Sequence, residues 1–193
     1  MAEISEDNKI IARAALAAFG GKPNVAAYWD EAEKHSVDLL ACKDQPQKGV
    51  TSYSTIGLSD SPINNDGVEI DLRVEFVGAC SNSVCDFGNI VTTAAFCVIN
   101  SKLSCSPGMI FPDVVGMYNC SMTLKHLMLV SPFLWEDKLE TLELPNKTVA
   151  WLLLIPISEA EYQYAQAESS SKLEELFEEH QIDIYDINRP SIV

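Results

Sequence analysis

Apolar and polar side chains change period several times along the chain, and each change marks an element. Ile10, Ile11, Ala14, Ala15 and Ala18 recur at spacings of three and four, which predicts an amphipathic helix over residues 6–19, stopped by Gly20-Gly21 and Pro23. Val37, Leu39 and Ala41 then alternate with polar neighbours as in a half-buried strand, and Tyr28 and Trp29 lie on a short strand before it. "GVTSYSTIGLSD" is a further strand candidate, and "SPINNDG" behind it is a turn cluster. The most regular alternation is "VEIDLRVEFVGA". Val68, Ile70, Leu72, Val74 and Phe76 share one face, while Glu69, Asp71, Arg73 and Glu75 share the other, which is expected to meet water.

The period returns to helical at Val84, Phe87, Val91, Ala94 and Val98, with Asp86 and Lys102 placed to suit the dipole of a helix over 84–102. "SCSPGMIFPDVVG" is a loop, "CSMTLKHLMLVSPF" a strand ended by Pro132, and the unbroken apolar run "TVAWLLLIPI" the best central strand. Ser158 and Glu161 form a capping box before "EAEYQYAQAE". Ser171 opens "KLEELFEEHQ", with Leu173, Leu176 and Phe177 as its apolar edge. The tail "IDIYDINRPSIV" alternates Ile182, Ile184 and Ile187 with polar residues, as an edge strand or a partner-binding tail would. Three helical regions and about six strands predict an α+β fold, a single domain over 1–193 with a mostly antiparallel mixed sheet flanked by helices.

Charge narrows the partners. The net charge is −15, and residues 135–193 carry 13 acids against 4 Lys or Arg. Binding to phosphate is driven by Lys and Arg, so direct nucleic-acid or anionic-membrane contact is disfavoured, and a basic protein partner suits such a surface. No run is long and apolar enough to span a bilayer. The opening "MAEISEDNKIIARAALAAFGG" is acidic and helical in pattern, so no export signal is expected, and the six cysteines are expected to be free thiols in a reducing cytoplasm.

Chemistry is sparse. No gap is Cys-x-x-Cys, and the three histidines give no metal-ligand spacing, so neither metal nor cofactor is expected. Cys80 and Cys85 flank a helix start, the best place for a lowered thiol pKa, but Asp86 sits beside them. His126, on a strand, reads as a structural histidine; His35 and His180 lie in charged, exposed segments. Gly20-Gly21 follows a helix instead of preceding one, so it is a cap and not a phosphate loop. "SPFLWEDK" places aromatics and acids together after a strand, as the anchor and rim of an interface would, or as a ring folded back on the core.

The words "SYSTIGLSD", "FLWEDKLETLEL", "WLLLIPISEAEY" and "LEELFEEHQIDIYDINRPS", in this order and spacing, resemble the suppressor-of-fused-like domain as it occurs in bacteria, from "YWDE" to "INRPS". The resemblance implies an α+β fold without enzymatic activity. It also implies an immunity protein, or antitoxin, that neutralises a cognate secreted LXG-type nuclease toxin in the cytoplasm. Nucleases are commonly basic where they meet phosphate, and an acidic inhibitor suits that surface. The expected contact is therefore an acidic face from residues 135–193, with Glu136, Asp137, Glu140 and Glu143 providing charge and Trp135 the desolvated anchor. A regulatory adaptor for another protein and a cysteine-dependent hydrolase are the alternatives. The sequence sets no oligomeric state.

Overall fold

The computed structural model describes residues 5–65, 68–84, 86–101, 103–135 and 137–193. Helix α1 (Glu6–Phe19) starts at Ser5, whose hydroxyl accepts the Asn8 N–H at 3.1 Å. It ends at Gly20, where φ is +75°, a left-handed backbone that glycine adopts without strain. Its buried stripe is Ile11, Ala15, Ala18 and Phe19, turned slightly from the predicted one, so that Ile10 and Ala14 lie at its margin.

Eight strands make one sheet. They are β1 (Pro23–Trp29), β2 (Ser36–Lys43), β3 (Val50–Ile56), β6 (Leu72–Ser81), β10 (Thr148–Ser158), β8 (Leu124–Val130) and β7 (Ile110–Phe111) in spatial order, with β9 (Leu142–Glu143) against the start of β10. Every pairing is antiparallel except β6 with β10, where Leu153 lies beside Val77. Two short strands, β4 (Ile63–Asn65) and β5 (Val68–Ile70), form a separate hairpin. Three residues of the predicted "SPINNDG" turn, Ile63–Asn65, are therefore strand, and its Asp66 and Gly67 lie outside the described residues.

Strand β10 explains the unbroken apolar run. Trp151, Leu153, Ile155 and Ile157 point into a core under α1 that also holds Phe19, Val77, Leu173 and Phe177. Leu152 and Leu154 point the opposite way, into a core under α2 (Phe87–Ser101) with Phe76, Ile90, Val91 and Leu129. A strand covered on both faces cannot alternate. The fit under α2 is close: a Cβ on Gly78 of β6 would meet the Phe87 ring at 3.0 Å.

The same double coverage corrects the expectation for β6. The predicted strand breaks at Asp71, and the alternating acid at 75 does not face water. Glu75 is fully buried, accepting hydrogen bonds from the Thr55 hydroxyl (2.6 Å), the Gly57 N–H (2.9 Å) and the Ser59 N–H (3.1 Å). Burial pushes its carboxyl up against the pull of these donors. It ties the turn at 57–60 to the sheet.

The acidic C-terminal region forms two helices, α3 (Glu159–Ala167) and α4 (Ser170–Glu179), the second capped by Ser169 two residues ahead of the predicted Ser171. The capping box at Ser158 and Glu161 is present. The tail beyond α4 is not a strand. Asp183 and Asp186 turn it by accepting the N–H groups of Tyr185 and Asn188. The Tyr185 carbonyl accepts from Ser81 N–H at 3.0 Å and the Ile187 carbonyl from the Ser121 hydroxyl at 2.6 Å. Arg189 then closes the tail onto α3. Its guanidinium, buried, donates to both oxygens of the buried Glu161 (2.6 and 2.9 Å) and to the Pro156 carbonyl (3.1 Å), and lies 5.3 Å from the Phe177 ring centre. Glu161 thus serves twice, as helix cap and as counter-ion.

Candidate partner-binding site

Strand β8 ends at Val130, and Pro132, which has no N–H for a ladder, turns the chain into a single 3-10 turn at Phe133–Trp135. The turn is closed by the Trp135 N–H to the Pro132 carbonyl (3.0 Å), and the Trp135 carbonyl accepts from Lys138 and Leu139 (both 2.8 Å). This geometry sends neighbouring aromatics in opposite directions. Trp135 is 3% exposed and packs on Phe19, ring centres 4.6 Å apart. Phe133 is 50% exposed.

The placement of Trp135 as a partner's anchor is therefore corrected: its ring is spent on the core. Glu136 lies outside the described residues. Asp137, Glu140 and Glu143 are exposed. Glu143 accepts the Thr148 hydroxyl at 2.8 Å, and the Glu140 carbonyl holds the Trp151 indole N–H at 3.0 Å. These acids follow the chain toward the start of β10, and none of them lines the cleft that opens on the other side of Phe133.

That cleft has a volume of about 440 Å³. Its walls are Val130, Phe133, Ile155, Phe177, Ile182 and Tyr185, from β8, β10, α4 and the tail. Its polar rim is Glu174, Glu178, Gln181 and Asp183, with no Lys or Arg among the described residues. Burial first, and then the neighbouring Glu178, push the Glu174 carboxyl up. An apolar floor with an acidic rim is suited to an apolar side chain flanked by cations. Phe133 lies far in sequence from residues 174–185, so no local pattern could have joined them, although the aromatics after Pro132 and the tail were each legible as binding candidates.

A larger groove of about 1140 Å³ runs between the end of β1 and α2. It mixes Asp30 and Glu31 with Lys34 and His35, and its polar groups are largely committed. Burial would raise the Asp30 carboxyl, but the Lys34 N–H, the His35 ring, the His35 N–H and Asn100 hold it at about 2. The Thr93 and Tyr118 hydroxyls pair at 2.6 Å.

The residues with catalytic potential are held otherwise. His126 is buried, its Nδ1 accepting the Asp113 N–H at 2.9 Å and its Nε2 meeting Glu159 at 3.0 Å, which makes it a satisfied structural histidine. Burial pushes the thiols of Cys42, Cys97 and Cys120 up, and those of Cys80 and Cys105 to about 12. Cys80, favoured by its position before a helix, is thus the opposite of an activated thiol; Cys85 lies outside the described residues. Iodoacetamide at neutral pH is expected to label none of these five faster than a free thiol, as mass spectrometry of the native protein would read. One fast-reacting cysteine among them would restore the hydrolase alternative. Among the described residues no group of three His, Cys, Asp or Glu could hold a metal ion, and no helix is long and apolar enough to cross a membrane.

The family model of the Suppressor of fused protein (SUFU) matches residues 33–190. The chain belongs to the suppressor of fused family. Within it, the chain is 49% identical over 190 residues to "Immunity protein YqcF" of Bacillus subtilis (strain 168), covering 98% of this chain and 99% of that one. The SUFU fold is shared with the crystal structure of a SUFU homologue from Neisseria gonorrhoeae FA 1090, with a TM-score of 0.73 at 17% identity, over 97% of each chain. It is also shared with a chain of the Sufu–Fu complex, with a TM-score of 0.66 at 11% identity, over 95% of this chain and 91% of that one.

Proposed function

We propose that this SUFU-family chain is an immunity protein, a non-catalytic inhibitor that binds a cognate toxin one-to-one and neutralises it in the cytoplasm of the producing cell. The observation that carries this reading is the 49% identity, end to end, to a relative named as an immunity protein. The toxin class that fits is a secreted LXG-type nuclease with a basic surface, since a net charge of −15 complements a protein that must itself hold phosphate. The cleft beside Phe133 is the better contact: it supplies an apolar pocket within an acidic rim, where Asp137, Glu140 and Glu143 supply charge alone.

Co-expression with a candidate LXG-type toxin from the same genome tests the function, scored by survival and by co-purification; survival and co-purification with none of these toxins, despite abundant folded protein, would overturn it. The contact is tested by substitution. Phe133→Ala combined with Glu174→Lys and Glu178→Lys is expected to weaken the complex by roughly 30-fold or more, the cost of losing an interface hot spot. Its melting temperature should stay close to that of the wild type, since all three residues are at least partly exposed. Asp137→Ala with Glu140→Ala and Glu143→Ala is the control surface. If that triple weakens binding and the cleft triple does not, the acids after the turn carry the contact instead.

A further inference from the structure

Strand β1 ends the sheet with its outer edge unpaired among the described residues. Exposed edges are ordinarily blunted by charge within the strand. Here "PNVAAYW" carries none. Every β1 residue except the half-buried Tyr28 is exposed, Val25 by 51% and Trp29 by 59%.

The direction of its backbone groups follows from one bond. The Asp30 N–H donates to the His35 carbonyl at 3.0 Å, and this pair continues the β1–β2 register of Trp29 with Ser36 and Tyr28 with Val37. Hydrogen-bonded pairs alternate along an antiparallel ladder. Even-numbered residues of β1 therefore turn their backbone toward β2, and Pro23, Val25, Ala27 and Trp29 turn theirs outward. Pro23 agrees with this assignment, since a proline is tolerated where the missing N–H faces solvent.

We propose that β1 is a homodimer interface, two copies pairing their β1 edges antiparallel about a two-fold axis at Ala26. In this register Val25 exchanges hydrogen bonds with Ala27 of the second copy, and the Trp29 N–H reaches the Pro23 carbonyl of the second copy, its indole lying over that proline. Lys22 comes opposite Asp30 of the second copy, whose carboxyl is buried and held by Lys34 and His35, so the free acid at each end of the ladder is the exposed Glu31 beside it. Self-pairing satisfies this edge better than an acidic or a basic partner would, because the strand is neutral and its two flanks are of opposite charge. The overall charge of −15 does not oppose it strongly. Helix α3 packs on β10 and β8 and α4 packs on α3, so these acid-rich helices lie beyond β2, β3 and β6 from this edge.

The test is the mass of the full chain in solution, by sedimentation equilibrium between about 1 and 300 µM, the range in which an interface of this small size associates. Twice the chain mass of 21.2 kDa is expected at the upper end. Val25→Lys and Ala27→Pro each leave the β2 side of the strand intact, and each should return the mass to 21.2 kDa with an unchanged melting temperature. Protection of the Val25, Ala27 and Trp29 amides from hydrogen exchange should appear with concentration in the wild type only. A wild type that stays at the single-chain mass overturns the proposal. If those amides are then protected only on adding the toxin, the edge belongs to a partner's strand. Variants that dimerise as the wild type does place the dimer elsewhere and overturn it equally.

Discussion

Trp135→Ala is expected to lower the unfolding free energy by about 3–5 kcal/mol, the usual cost of removing a large buried ring. The indole is buried in the core under α1, against the Phe19 ring. For a chain of this size each kcal/mol shifts the midpoint by roughly 2–4 °C, so thermal unfolding followed by circular dichroism reads the loss directly. Phe133→Ala, two residues away and half exposed, should leave the midpoint nearly unchanged. The pair separates core from contact: Trp135 should move stability, and Phe133 should move affinity. A Trp135→Ala protein of wild-type stability with lost toxin binding would return the indole to the interface.

Arg189→Ala should cost a similar amount, about 3–5 kcal/mol, because it leaves the Glu161 carboxylate buried without its counter-ion. The larger part of that loss belongs to the abandoned charge and not to the bond. Arg189→Met combined with Glu161→Gln should therefore recover much of it, since Met puts an apolar side chain where the guanidinium lay beside Phe177 and Gln can still complete the capping box. Urea unfolding of the two single variants and the double variant checks this, and equal losses in all three would refute the argument. Arg189→Ala should also weaken toxin binding, although Arg189 does not line the cleft. The tail it fastens brings Ile182, Asp183 and Tyr185 to the cleft wall.

What could be read from the sequence was whatever depends on near neighbours. The 6–19 helix, the Ser158–Glu161 box and the apolar run of β10 each express a period or a spacing within a dozen residues. Glu75 was misread because its strand lies between β3 and β10, the latter more than 70 positions later, and only their presence turns an alternating pattern into a buried one. The acids of the C-terminal region read as a contact face, and Glu161 as part of a helix cap alone. Arg189 and Glu161, 28 positions apart, are instead the clasp of the tail. Trp135 could not be assigned from "FLWEDK", because a 3-10 turn rotates neighbours by about a third of a circle and only the packing of Phe19 decides which ring goes in.

Strand β10 has a consequence for how the molecule comes into being. It is the wedge between β6 and β8, yet it occupies residues 148–158, so the sheet stays in two parts until most of the chain has been synthesised. Contacts this distant in sequence make for slow folding, and the growing chain carries two open apolar edges until β10 arrives. Every wall of the cleft is drawn from residue 130 onward, and the tail that completes it is fastened at Arg189. On the proposed function, protection against the toxin switches on late and all at once, when the last turns of the chain lock, and a nascent fragment confers none.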